Sequence, residues 1–102
     1  MLRRYRLTPH AQEDLKSIRR YTRQHWGEQQ AKDYLAQLRN ALQSLLNNPN
    51  LGRHRADDLR EGIYSYLHAS HMIYYQHSEN ELIVVAVLHT KMVPSSHLEE
   101  RL

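Results

Sequence analysis

The sequence contains no cysteine and no phenylalanine, and only three glycines and three prolines in 102 residues. Without thiols there is neither a disulfide nor a thiolate metal site, so stability must come from ordinary burial, and a reducing cytoplasm suits such a chain. Three glycines leave little scope for cradling a nucleotide phosphate, and neither a Gly-x-Ser-x-Gly elbow nor a His-Glu-x-x-His pair occurs. The longest apolar run, Leu82 to Leu88, is far short of the ~20 residues that cross a bilayer. Met1-Leu2-Arg3-Arg4 lacks the apolar region of a signal peptide. Nucleotide-dependent catalysis, membrane insertion and export are therefore not expected, and no cofactor is implied. The length suits one domain, residues 1–102, around one core.

Charge is unevenly placed. The formal net charge is +3, yet residues 1–55 hold 11 Lys/Arg against 4 Asp/Glu, a local +7, which leaves −4 for the remainder. A basic N-terminal half can attract nucleic acid or an acidic protein partner, or simply form a solvated face.

Residues Arg3 to Leu7 alternate and form a short expected strand that stops at Thr8-Pro9. Thr8 suits an N-cap, because its hydroxyl can accept an early helical N–H, and Pro9 suits the first helical position, where no N–H is needed. Ala11, Leu15, Ile18, Thr22 and Trp26 then recur at helical spacing until Gly27, a natural helix stop. In a second helix, Ala31, Tyr34, Leu35, Leu38, Ala41, Leu42, Leu45 and Leu46 fall within about 140° of one another. Its buried leucines would contribute on the order of 10 kcal/mol. With only Gly27 and Glu28 between them, the helices should form an antiparallel hairpin, ended by Asn47-Asn48-Pro49-Asn50.

Residues 50–62 are polar and turn-rich and read as a loop. Ile63 to His68, His71 to His77 and Leu82 to Leu88 read as three strands of an antiparallel meander. Ser96 followed by Glu99 suggests a capping box opening a short helix in the C-terminal tail. The fold class is therefore α+β: strand, helix pair, three strands. A single helical layer covers one sheet face and leaves the other for work.

Eight histidines raise the question of metal binding. His68 and His71 flank a turn, but no third ligand follows from the spacing, so surface histidines and no metal are expected. Lys16, Arg19, Arg20 and Arg23 form a cationic stripe beside the apolar stripe of the first helix, suited to an acidic segment, a phosphate backbone or solvent. His89, Lys91 and His97 sit at or beyond the end of the last strand, where a rigid frame can present them for proton transfer or phosphate stabilisation, or where His89 can simply cap the sheet.

Taken in order, a set of short matches resembles the ParE branch of the RelE/ParE toxin superfamily. It comprises Leu7-Thr8-Pro9 with Ala11, Asp14-Leu15 and Ile18; Trp26-Gly27, Gln30-Ala31 and Tyr34-Leu35; Pro49 with Leu51-Gly52-Arg53; and Leu59-Arg60. His71 with Ile73 and Tyr75, Val87-Leu88-His89, Met92 and His97-Leu98 complete it. The resemblance implies the toxin of a toxin–antitoxin pair that poisons DNA gyrase, with Arg60, His89, Lys91, Met92 and His97 as candidates for target binding. It implies a cognate antitoxin whose acidic, disordered segment would suit Lys16, Arg19, Arg20 and Arg23, with operator DNA reached only through that antitoxin. RelE-like relatives instead cut mRNA on the ribosome, an activity for which His89 and Lys91 would be the catalytic candidates; no Tyr follows Tyr75, whereas such nucleases typically use a C-terminal Tyr. A non-toxic remnant that only binds an antitoxin is the third expectation. This chain departs from many relatives in carrying Tyr64 and Gln76 in place of Arg, Ala69 in place of Gly, and Lys91 and Val93 in place of Arg and Asp.

Overall fold

The computed structural model describes residues 4–102. Its first strand, β1, spans Arg4–Leu7, so the expected start at Arg3 lies outside the described residues. Helix α1, Pro9–Trp26, begins where the Thr8 hydroxyl accepts the Ala11 N–H at 3.2 Å, with Pro9 at its first position. Helix α2, Glu28–Asn47, follows after Gly27 alone, whose φ of 93° lets one residue end one helix and start the next. Glu28 belongs to α2 and not to the link, and it places a carboxylate in the first turn, where the helix dipole favours one.

The sheet has five strands in the order β1-β5-β4-β3-β2, with β2 Arg53–His54, β3 Tyr64–His68, β4 His71–His77 and β5 Glu81–His89. The expected antiparallel meander is present as β3-β4-β5. β1 joins it in parallel, with Leu7 opposite Val84, a pairing made possible by the intervening hairpin and meander. The two-residue strand β2 emerges from what the sequence presents as loop. A bulge at Tyr74/Tyr75 shifts the β4–β5 register by one residue, so His71 lies opposite His89.

Both helices pack on one face of the sheet. Leu35, Leu38, Leu42, Leu45 and Leu46 of α2 meet Ala11 and Ile18 of α1 and Ile73, Tyr75, Leu82, Val84 and Val87 of the strands. Trp26 departs from the expected apolar stripe: it is 71% exposed, on the rim of an open groove.

The opposite face is covered, contrary to the expectation of an open one. Ile63, Tyr74, Val85, Ala86, Leu88 and Leu98 form a second core there, joined by Leu59 and Leu102. The cover is made by the 55–62 loop and by α3, Pro94–Leu98. Arg55 fixes the loop: it donates to Asp58 and to Ser65 Oγ and lies 5.9 Å from the Tyr74 ring centre. The Asp58 hydrogen bond raises the pKa of Arg55 and lowers that of Asp58. Helix α3 starts two residues before the expected Ser96 cap, because Pro94 occupies its first turn; its N-cap is Val93, without a side-chain bond, and the capping box does not form.

Beyond Val84 the outer edge of β5 outruns β1. Asp14 on α1 accepts the Val87 N–H at 3.0 Å and two bonds from Arg101, which also donates to the Val85 carbonyl. The pair thus replaces a neighbouring strand and blunts the exposed edge.

Candidate functional site

The register sets three histidines side by side. His68 on β3 is opposite His71 on β4, which is opposite His89 on β5, and directly opposed residues point to the same face. That face is the helical one, and Tyr34 of α2 reaches over the row. Its hydroxyl lies 2.6 Å from His71 Nδ1, and the His71 and His89 rings meet edge to face at 5.3 Å. Burial raises the Tyr34 pKa and outweighs the smaller, opposite influence of the nearby Ser70 backbone in the β3–β4 turn, so the phenol keeps its proton. Burial, and then the neighbouring His89 and His68 rings, lower the pKa of His71 to about 4, so it is neutral near pH 7.

Above this row α1 and α2 leave a groove of about 740 Å³. Ser17, Ile18, Tyr21, Thr22 and Trp26 form one wall, Gln30 and Tyr34 the other, and Ser70, His71, His89, Lys91 and Met92 the floor and far end. Tyr21 is braced by stacking on His25, with ring centres 4.0 Å apart. The lining is mainly apolar. Among the described residues that line it there is one cation, Lys91, and no carboxylate.

Of the residues singled out in the sequence, His89, Lys91 and Met92 are brought together here. Arg60 and His97 are not: Arg60 lines a cavity of about 240 Å³ beside Asp58 and Leu98 against the other sheet face, and His97 is exposed on α3. Lys16, Arg19, Arg20 and Arg23 are exposed on α1, and none lines the groove. Arg19 pairs with Glu28 at 3.2 Å and Arg20 with Glu13 at 3.9 Å, both in open solvent, where such pairs contribute little. His71, expected at the surface, is half-buried. Tyr21 and Ser70 join the site without a distinguishing signal in the sequence, whereas Tyr34 is marked there by the apolar stripe of α2 and by the family pattern. Among the described residues no group of three potential ligands is placed to hold a metal ion.

The arrangement suits recognition better than acid–base chemistry. RNA cleavage needs a base, an acid and cations around the developing phosphate charge. Here His71 Nδ1 is held by Tyr34, His89 Nδ1 accepts the Lys91 N–H at 3.1 Å, and a single exposed ammonium supplies the positive charge.

Comparison with known proteins bears on these residues directly. A family model described as "ParE toxin of type II toxin-antitoxin system, parDE" matches residues 5–94. The Toxin ParE1 of Mycobacterium tuberculosis is 38% identical over 93 residues, covering 90% of this chain and 94% of the relative. The Toxin ParE1 of Caulobacter vibrioides is 32% identical over 94 residues, covering 92% and 96%. In fold, the chain is similar to a chromosomal ParDE toxin–antitoxin system from P. aeruginosa, with a TM-score of 0.74, 15% identity, and 89% and 98% of the two chains covered. It is also similar to the toxin–antitoxin complex RelBE2 from M. tuberculosis, with a TM-score of 0.66, 17% identity and 87% and 99% coverage. With the family model spanning both helices, the whole meander and the groove between them, the chain belongs to the ParE toxin family of type II toxin–antitoxin systems.

Proposed function

We propose that this chain is a toxin that inhibits DNA gyrase without catalysing a reaction, acts in the cytoplasm, and is neutralised by a cognate ParD-like antitoxin. The observation that carries the reading is the family match over residues 5–94, to which the groove adds chemical support. An apolar trough with one ammonium and no carboxylate suits the capture of a protein segment. The ribosome-dependent nuclease alternative would rely on His89 and Lys91; against it stand the commitment of His89 Nδ1 to the Lys91 N–H and the absence of any Tyr after Tyr75.

Supercoiling of relaxed plasmid by purified gyrase should fall as the protein is added. Full supercoiling at a large molar excess would remove the gyrase reading. Cuts in message in a translating extract, lost in His89→Ala and Lys91→Ala, would put the nuclease in its place. A chain that binds its antitoxin yet leaves growth and supercoiling untouched would be the remnant.

For the antitoxin, the exposed cations of α1 offer an attractive surface for an acidic segment, and operator DNA would be reached through the antitoxin. Charge reversal at Arg19, Arg20 and Arg23 together should weaken the complex in titration calorimetry. Unchanged affinity would move the contact elsewhere on the chain.

A further inference from the structure

The bulge that brings His89 to the groove is not dictated by the composition of β5. Leu82, Val84 and Val87 join the helix-side core, whereas Val85, Ala86 and Leu88 lie in the second core, so two successive residues, Val85 and Ala86, share a face. An unbroken strand would alternate, sending Ala86 and Leu88 to the helix side and Val87 and His89 to the other. Val84 to Leu88 are all apolar, so the exchange would replace His89 by Leu88 on one face and make the opposite replacement on the other. Burial is therefore nearly balanced between the two registers, and the bulge leaves Val85 unpaired in the ladder with β4. A contact outside the cores must favour the observed register.

The outer edge of β5 supplies one. Val84 accepts the Thr8 N–H at 3.0 Å, so its backbone groups face outward, toward β1. In an unbroken strand the next outward residue would be Ala86, and Val85 and Val87 would turn inward to β4. The bulge reverses this: the Val85 carbonyl accepts from Arg101 Nη1 at 3.0 Å, and the Val87 N–H donates to Asp14 Oδ2 at 3.0 Å. Asp14 and Arg101 are joined to each other by two bonds, at 2.6 and 3.0 Å, with side chains only 14% and 12% exposed. Both backbone contacts thus belong to the bulged register alone. We propose that Asp14 and Arg101 are positioning residues for the groove floor: their clasp holds the bulge at Val85 and thereby sets His89 opposite His71. Without it, β5 relaxes beyond Val84 to the unbroken register, with Leu88 opposite His71 and His89 on the far face. Neither residue lines the groove, so the pair acts on it only through the strand. Any bearing on toxicity rests on the groove being the working site; the effect on register does not.

Removing one partner would leave the other charge in a nearly closed site, so the test removes both, as Asp14→Leu with Arg101→Met in the full chain. Opposed residues that share no ladder hydrogen bonds bring their α-protons close, so nuclear Overhauser contacts between α-protons read the register. The unaltered protein should join Ile73 to Val87 and His71 to His89. The double variant should lose both contacts and join Ile73 to Ala86 and His71 to Leu88. Deletion of Val85 is the rescue: with no extra residue, simple alternation keeps His89 opposite His71, and the two substitutions should then leave both original contacts in place. Original contacts in the double variant that retains Val85 would overturn the proposal, because packing alone would hold the bulge. If that variant fails to fold, the same substitutions in the Val85-deleted chain decide. Folding there with His71 against His89 supports the clasp, whereas failure there too makes the pair a general brace and overturns it. Loss of the His71–His89 contact on deletion of Val85 alone would also overturn it. Gyrase supercoiling, measured alongside, keeps the two readings apart: inhibition should weaken in the double variant and return with the deletion, and no inhibition by the unaltered protein would count against the gyrase reading alone.

Discussion

The two ends of the helix-covered sheet face are built from similar parts and finished differently. Near β2, the rings of His54, Tyr64 and Tyr75 lie side by side across β2, β3 and β4, with centres 4.7 and 5.6 Å apart. At the other end His68, His71 and His89 repeat the plan across β3, β4 and β5. The first row is closed by backbone. Tyr75 is fully buried, donates its hydroxyl proton to the Pro49 carbonyl at 2.5 Å and accepts the Gly52 N–H at 3.1 Å. The second row receives only the Tyr34 hydroxyl from above, and beside it the helices part into the groove. The aromatic rows therefore do not set the difference; what lies over them does. A loop that can hydrogen-bond seals one end, and an unfilled space between helices leaves the other open to a partner.

The largest test of this contrast is Gly52→Ala. A methyl group at Gly52 would overlap the Tyr75 hydroxyl, so the loop must lift and the buried phenol loses its partners. Burial holds the Tyr75 pKa at about 12, so ionisation offers it no escape. Overpacking and an unsatisfied buried hydroxyl together should cost about 3 kcal/mol, read as a lower urea midpoint at unchanged slope. The matching change at the open end, Tyr34→Phe, should cost about 1 kcal/mol, because the groove admits water to the freed His71 nitrogen. Equal losses at the two ends would break the comparison.

A second, smaller effect concerns protons. The His71 pKa is about 4 in the folded chain against an ordinary 6.5, so unfolding takes up a proton at intermediate pH. Its contribution is fully present above about pH 6.5 and is lost as pH falls from there toward 4. Discounted for solvent in the groove, the loss should be on the order of 1–2 kcal/mol. Carboxylates titrate in the same range, so the quantity to measure is the difference in unfolding free energy between pH 7 and pH 4.5 for wild type and His71→Phe. The variant should show the shallower dependence. Identical dependence would mean that the imidazole charges freely, and that the open end is wet to its floor.

What could be read in the sequence follows how local each determinant is. Thr8-Pro9 and Gly27 mark both ends of α1 because capping acts within a few residues, and the leucine spacing of α2 specifies its buried face directly. Leu51-Gly52-Arg53 stood out as a family mark, yet its reason, contact with Tyr75, lies 23 residues away. The histidine row was hidden by the bulge. Pairing outward from the Ser78–Asn80 turn without it sets Leu88 opposite His71 and turns His89 to the other face, and nothing in Val84-Val85-Ala86 announces that Val85 is the extra residue of β5, unpaired between the partners of Tyr75 and Tyr74. The cover of the second face escaped for a similar reason, since it depends on Arg55 and Leu98 returning from separate segments. Arg60 and His97 looked close to Lys91 in character and are separated from it by the sheet.

The smallest effect tests the rim of the open end. Ala69 has φ of 51°, in the left-handed region that side chains disfavour, and it precedes Ser70, which lines the groove beside Tyr34. The conformation costs alanine about 1–2 kcal/mol, and glycine would remove that cost while giving back part of the gain through a freer unfolded chain. Ala69→Gly should therefore stabilise the fold by about 0.5 kcal/mol, a rise of roughly 2–4 °C in a thermal melt. Because the turn already has the required shape, the His71 and His89 side-chain signals should stay in place. A fall in melting temperature would show that the turn is relaxed with alanine. Stabilisation accompanied by moved histidine signals would show that the strain at Ala69 helps position the groove floor, making the open end a set geometry and not only an uncovered one.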